Sequence, residues 1–300
     1  MDVDIDTVRR SGKLLSRLLR KAYDLLESGE RCGLKIANAL ETEAWEHAAP
    51  AFPCNVGPDQ VAAHLSPTDA EPADIRSARL VKIDFGVHVD GWISDAAFTC
   101  VFDENCNRVA RAAYDALYEA VHVIRPGTCV AEIGKKISDV AKRHGVKPVS
   151  NLGGHQIHRY MLHAGLFVPN VPEGRGVVDE GMLLAVEPFM TDGRGHVSEG
   201  TSVTIYSLER RRARSQNARK MLEYIESRFK TLPFARRWIE KEFGKGGWLA
   251  LYELVKGGSL RQYPILLEDR GSVVAQFETT VYVDKDGAEV IVDVFEMGEW

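Results

Sequence analysis

Residues 81–99 read VKIDFGVHVDGWISDAAFT, an apolar run that carries Asp84 and Asp95 on either side of an Asp90-Gly91 pair. An Asp-Gly pair between alternating apolar residues signals a two-residue hairpin closed by a type I′ turn. That turn sets the register, with Val89 facing Trp92 and Gly86 facing Asp95. Side chains alternate along a strand, so Asp84 shares a face with Gly86 and is the diagonal neighbour of Asp95, roughly 7–8 Å away at the backbone. Aimed at each other, the two carboxylates could clasp a pair of cations about 3.5–4 Å apart. The plainer reading is an exposed hairpin with two solvated aspartates. Ile83, Phe85, Val87, Ala96 and Phe98 count against it, because they imply that both faces of the pair are covered. Two buried like charges without a cation are strongly unfavourable.

More ligand-type residues follow. His155 comes after Gly153-Gly154, where missing side chains allow the backbone to approach a ligand closely. Glu187 lies in LLAVEPF and Glu278 in VVAQFETTVYV, each an acid inside an apolar, strand-like run. A lone strand glutamate usually points to solvent, but an acid in apolar surroundings is the informative exception. Four acids and one imidazole form an oxygen-rich set that suits Mn, Fe, Co or Zn rather than a thiolate-loving ion. His64 in VAAHLSP and His163 in MLHAG lie near these segments, where they could donate hydrogen bonds to a substrate carbonyl or its tetrahedral adduct. The alternative for each is a satisfied structural histidine. His158 is close to His155, and its direction is left open. His47, His88, His122, His144 and His196 have no comparable context and are read as surface or packing residues.

The bulk properties narrow the setting. With 300 residues, 45% hydrophobic and 27% charged, the chain has the make-up of an ordinary globular protein with ample core material. No apolar run approaches the roughly 18 residues needed to span a bilayer. The start, MDVDIDTVRRSGKLL, lacks a basic stretch followed by an apolar one, as a signal peptide would have. Five scattered cysteines without CxxC spacing argue against a disulfide framework and a thiolate zinc site. They favour a reducing cytosol, so a cytoplasmic protein is expected, with no membrane and no DNA as partner. Nothing demands more than a monomer. The net charge of −5 hides an asymmetry: residues 206–262 hold 14 Lys/Arg against 6 Asp/Glu, a balance of +8 inside a host of −13.

Apolar spacing at Leu14, Leu15, Leu18, Leu19, Ala22 and Leu25 predicts a first helix, and a second is expected over about 33–48. AFPCNVGPDQVAAHLSP reads as a loop-rich stretch. Helices are expected over 107–123 and 130–144, the second opened by Pro126-Gly127-Thr128 and ended by Gly145. NLGGHQIHRYMLHAG (151–165) reads as a Gly/His-rich connection. MLLAVEPFM (182–190), TSVTIYSL (201–208), VVAQFETTVYV (273–283) and GAEVIVDVF (287–295) read as strands. Residues 206–262 read as a helical insertion that begins with a helix near 209–230 and closes at Gly257-Gly258. The expected fold class is α+β, mostly antiparallel sheet covered by helices. It forms a single domain over 1–300 with an inserted helical subdomain at 206–262.

Five segments, in order, resemble the type II methionine aminopeptidases in their short, archaeal-type form: AFPCNVGPDQVAAHLSP, VKIDFGVHVDGWISDAAF, NLGGHQIHRYMLHAG, AVEPFMTDGRGHVSEGTSVTIYSL and YPILLEDRGSVVAQFETTV. The basic segment at 206–262 is similar to the helical insertion that separates type II from type I enzymes. The resemblance covers essentially the whole chain and implies a pita-bread fold, two pseudo-symmetric halves of antiparallel sheet and helices around a metal pair. It implies two divalent ions, with Co, Mn, Fe, Ni and Zn all compatible. Asp84 would bind one ion, Asp95 and Glu278 would bridge both, and His155 and Glu187 would complete the second. Glu187 would further act as general base to a bridging water or hydroxide. His64 and His163 match the histidines that position and polarise the substrate, and Phe52, Leu162 and Tyr263 match positions lining the methionine pocket. Leu162 stands where isoleucine is common, and His158 and Leu65 also depart from the family's usual residues. None of these departures removes a ligand.

The implied activity is removal of the initiator methionine from nascent chains and peptides with a small second residue, through a metal-bound water or hydroxide. Two alternatives stand beside it. Proline-specific aminopeptidases and prolidases share the fold and the five ligands, but the GHxIxxYxxHAG pattern and the insertion favour methionine. A non-catalytic relative that binds RNA or ribosomes through the basic insertion would be expected to lose ligands, and all five are present. The +8 segment could still touch ribosomal RNA, its alternative being a merely solvated helical face.

Overall fold

The computed structural model describes residues 3–297 apart from residue 245. Helix α1 (Ile5–Glu27) starts at Asp4, whose carboxylate accepts from the Thr7 backbone N–H at 3.1 Å, and buries Leu14, Leu15, Leu18, Leu19, Ala22 and Leu26 on one face. Helix α2 (Gly33–His47) buries Ile36, Ala37, Leu40 and Ala44. The stretch expected to be loop is instead strand β1 (Ala49–Pro58) followed by β2 (Val61–Ala63). Prolines 50, 53 and 58 obscured it. β1 is tolerant of them because it is an edge strand with register shifts between Pro50 and Phe52 and between Phe52 and Asn55. Strands β3 (Leu80–Val89) and β4 (Trp92–Val101) form the expected hairpin. Asp90 and Gly91 both have positive φ, 51° and 87°, and Gly86 faces Asp95.

Helices α3 (Asn107–Val123) and α4 (Val130–His144) match their expected spans, and Gly145 ends α4 in the left-handed conformation with φ 63°. Next come β5 (Lys147–Pro148), β6 (Gly153–Ile157) and β7 (Phe167–Pro169), so the segment 151–165, expected to be a connection, contains an interior strand of its sheet. A Cβ on Gly153 would lie 2.3 Å from the Val168 carbonyl oxygen, and one on Gly154 would lie 2.1 Å from that of Ala185. These glycines make room for the flanking strands, and Gly153 also lines the cavity described below.

The run 182–190 is two strands, β8 (Leu183–Val186) and β9 (Phe189–Thr191), broken at Glu187-Pro188. After β10 (Ser198–Leu208) come α5 (Gln216–Phe229), β11 (Phe234–Ala235), α6 (Arg236–Phe243) and α7 (Gly247–Lys256), and then β12 (Leu260–Leu267). The helix expected near 209–230 begins at Gln216, capped by Ser215. Tyr206 pairs with Gln262, so both expected ends of the insertion lie in paired strands. Between those strands, Met221, Ile225, Phe229, Phe234, Ile239 and Leu254 form a core distinct from the main one. The run 273–283 is likewise two strands, β13 (Val274–Gln276) and β14 (Thr279–Val283), with Glu278 in the gap. Of 287–295 only β15 (Ala288–Val290) is strand.

The sheets have orders β1-β3-β4, β11-β10-β12-β2, β13-β9-β5 and β15-β14-β8-β6-β7. Both broken runs thus cross from one sheet to another. Pro188 cannot donate to a ladder, which ends β8 there. Glu278 instead pairs with Ala97 of β4, its N–H donating to the Ala97 carbonyl at 2.9 Å. The seam between sheets is where the acids sit.

Candidate metal centre

The hairpin presents Asp84 and Asp95 to this seam, β6 presents His155, and the two strand breaks present Glu187 and Glu278. All ten residues singled out from the sequence (Phe52, His64, Asp84, Asp95, His155, Leu162, His163, Glu187, Tyr263 and Glu278) line one cavity of about 260 Å³. Among the described residues, Asp95, His155 and Glu278 offer ligand atoms that all lie within 4.8 Å of one another. The His155 Nε2 is 3.6 Å from Asp95 Oδ2 and 3.6 Å from Glu187 Oε1. Gly86 separates the aspartates for a reason on the opposite strand: a Cβ there would meet the Phe52 ring at 2.3 Å. One glycine therefore admits both the carboxylate pair and an apolar wall.

Burial raises the Asp84 carboxyl to about 7. It also pushes Asp95 well above the usual carboxylate range, with repulsion from Asp84 adding to it. Glu187 and Glu278 are raised well above theirs, again by burial first and by the neighbouring acids second. His155 is driven the other way, to about 3, by burial and by His163, so its ring is neutral and offers no compensating charge. Asp95 is 3% exposed, and its Oδ1 is buried without a hydrogen-bond partner. Four crowded acids, a neutral imidazole and an orphaned carboxylate oxygen fit divalent cations and leave few other ways to neutralise the site.

His64 holds a strained left-handed backbone, φ 65°, and its Nδ1 lies 3.1 Å from the Pro264 carbonyl oxygen. A carbonyl only accepts, so Nδ1 carries the proton. Burial lowers the pKa of this histidine, and in the neutral ring Nε2 is then a bare acceptor. The donating role expected of it from sequence does not suit this tautomer. His163 stands at the mouth, its ring centroid 4.3 Å from that of His155, and burial with repulsion from His64 lowers its pKa to about 4, so its ring too is neutral. His158 is exposed, with Nε2 3.3 Å from the Gln156 amide nitrogen.

Sequence reasoning missed two supporting amides. Gln276 Nε2 donates to Glu278 Oε2 at 2.9 Å and to Glu187 Oε2 at 3.4 Å. Asn55 Nδ2 donates to Asp84 Oδ2 at 3.5 Å from the paired position on β1. The two-residue period from Glu278 could have found Gln276, whereas Asn55 was hidden in the stretch read as loop. Phe167, Phe189, Ile205 and Leu266 also line the cavity, as does Pro233 from between α5 and β11.

Residues 6–285 match the model of metallopeptidase family M24. The chain is 41% identical over 282 residues to a methionine aminopeptidase of Saccharolobus solfataricus, covering 91% of this chain and 94% of that one. It is 39% identical over 293 residues to a methionine aminopeptidase of Pyrococcus horikoshii, covering 96% and 99%. Among solved structures, a thermophilic Arx1 superposes with a TM-score of 0.83 at 17% identity, over 99% of this chain and 95% of that one. The methionine aminopeptidase of Rickettsia prowazekii superposes with a TM-score of 0.68 at 20% identity, over 98% and 100%. At such identities these two likenesses speak for the fold alone.

Proposed function

The chain belongs to metallopeptidase family M24, and on that premise we propose that the cavity is a dimetal aminopeptidase site that removes the initiator methionine from nascent proteins and from peptides with a small second residue. The near-full-length identity to curated methionine aminopeptidases supports this activity. The observation that carries the site assignment is the convergence of five ligand-type side chains with an apolar wall in one cavity. Asp84, Asp95, His155, Glu187 and Glu278 would hold two divalent ions, with Asp95 and Glu278 shared, and this donor set admits Mn, Fe, Co, Ni or Zn. When bound, the ions supply Lewis acidity for the scissile carbonyl and a charge that lowers the pKa of water.

The remaining roles fall to side chains. Phe52, Leu162 and Tyr263 enclose the methionine side chain and exclude water from it. Glu187 takes the proton of the attacking water and delivers it to the departing amine. With its Nδ1–H donating to the Pro264 carbonyl, His64 offers Nε2 to the substrate amide N–H, while His163, at the mouth, donates a ring N–H to the carbonyl side. The ions that these five residues would hold would favour a free α-amino group at the floor of the cavity, and so cleavage after the first residue. The protein acts as a cytoplasmic monomer, and the exposed basic residues Arg210, Arg212, Arg214, Arg219 and Lys220 offer ribosomal RNA an electrostatic contact. Among the described residues no helix is long and apolar enough to cross a membrane.

Replacing Glu187 with Gln keeps shape and removes the base. Turnover of a Met-Ala-Ser peptide is expected to fall by roughly 10²–10⁴-fold, with an unchanged circular dichroism spectrum. Turnover within a few-fold of wild type contradicts the assignment.

A further inference from the structure

Lys82, near the start of β3, is one of the largest fully buried side chains among the described residues, 1% exposed. Its ammonium donates to three backbone carbonyls: Val274 at 2.7 Å, Gly57 at 2.9 Å and Asp59 at 3.4 Å. An ammonium has three protons, and these three oxygens use them all. The Asp59 carboxylate is engaged elsewhere, accepting from the Arg79 backbone N–H at 2.9 Å and lying 3.8 Å from the Arg79 guanidinium. Carbonyl dipoles thus surround the ammonium, as they do a monovalent ion in a carbonyl cage; burial lowers its pKa to about 7, and the charge of Asp59 opposes that shift. Gly57 shapes the turn around the lysine stem, since a Cβ there would lie 3.2 Å from Lys82 Cε.

The three carbonyls come from two places that frame the metal centre. Gly57 lies at the end of β1 and Asp59 begins the connection to β2, and Val274 belongs to β13, two residues before Gln276 and four before Glu278. Lys82 also shares a face of β3 with Asp84. Lys82, Gly57, Asp84, Asn55 and Gln276 line one narrow gap beside the metal centre. Without a positive charge, three carbonyl dipoles would converge on one another, and the link between β13 and the β1–β2 turn would rest on the backbone hydrogen bond from the Val274 N–H to the Asp59 carbonyl at 3.0 Å.

We propose that Lys82 is a positioning residue that serves as a tethered monovalent cation, holding β13 and the β1–β2 turn together so that Asp84 and Glu278 keep the geometry of metal ligands. This rests on the reading of those two acids as ligands. A simple packing role would need only the carbon chain. A cation role needs the charge, and an ion supplied from outside can replace it.

The test compares wild type with Lys82→Ala, which opens the cradle, and Lys82→Met, which fills it without charge. Each is measured in chloride salts of potassium, ammonium or tetramethylammonium at equal ionic strength. The readouts are the melting temperature of the apo-protein, the midpoint of Mn²⁺ reconstitution and turnover of Met-Ala-Ser. Wild type is expected to be indifferent to the salt. Lys82→Ala in tetramethylammonium should lose roughly 10–100-fold in Mn²⁺ affinity, as supporting-residue losses do, and recover most of it in potassium or ammonium. Lys82→Met should show the loss without the recovery. If Lys82→Ala folds only when potassium or ammonium is present, circular dichroism reads the same result. A Lys82→Met variant with wild-type metal affinity overturns the proposal, as does a Lys82→Ala variant whose losses are the same in all three salts. Wild-type protein that neither binds Mn²⁺ nor cleaves the peptide would instead sink the assignment of the metal centre.

Discussion

Asp84 and Asp95 are diagonal neighbours on one face of a hairpin, and the residues around them make their charge costly. Burial holds the Asp84 carboxyl at about 7 and Asp95, Glu187 and Glu278 well above the ordinary carboxylate range. In the unfolded chain the same acids titrate near pH ~4. Between about pH 4 and 7 the metal-free folded state therefore binds more protons than the unfolded chain, and these acids withdraw stability as pH rises through that window. Divalent ions replace the protons. The rise in melting temperature on adding Mn²⁺ to apo-protein is accordingly expected to be several degrees larger at about pH 7.5 than at about pH 5, as scanning fluorimetry would show. An equal rise at both values contradicts the picture of a charge-crowded site. The residue scale also shows what one sequence cannot carry: the tautomer of His64 is decided by Pro264, 200 positions away.

At the scale of elements, the hairpin was legible because a turn dipeptide sets register, and every later rung follows from it. α3 and α4 were legible because amphipathic spacing and the Gly145 stop are local signals. The breaks at Glu187-Pro188 and Glu278 were not. Apolar composition continues unbroken across both while the chain passes from one sheet to another. β1 was missed because its prolines resemble loop chemistry unless one knows that it lies on an edge. The glycines before His155 also pack against the flanking strands, and that packing leads to a prediction. Gly154→Ala puts a Cβ 2.1 Å from the Ala185 carbonyl, at the rung where β6 presents His155. It should cost about 1–3 kcal/mol or more and weaken metal binding. Gly246→Ala, where the added Cβ meets nothing within 4 Å, should change neither. Thermal melts of the two variants decide it, and a Gly154→Ala protein as stable as wild type contradicts the strand register.

For the whole molecule, four sheets meet so that acids from a hairpin and from two strand breaks face one cavity, while the segment between β10 and β12 builds its own core and sends Pro233 to the cavity wall. Arg237 of α6 anchors that segment through Glu41 of α2, which also accepts from the Trp238 indole at 2.8 Å. The acidic body and basic insertion predict co-sedimentation with ribosomes that falls steeply with added salt. Binding that ignores salt, or none at all, contradicts the electrostatic contact. The most direct measurement strips the protein of metal, adds back Mn, Fe, Co, Ni or Zn one at a time, and follows hydrolysis of Met-Ala-Ser beside an Ala-Pro peptide. The account predicts no activity without metal, restoration that saturates at two ions per chain, and release of methionine with the Xaa-Pro peptide left intact. Full activity in the stripped protein, or preferential cleavage before proline, would contradict it.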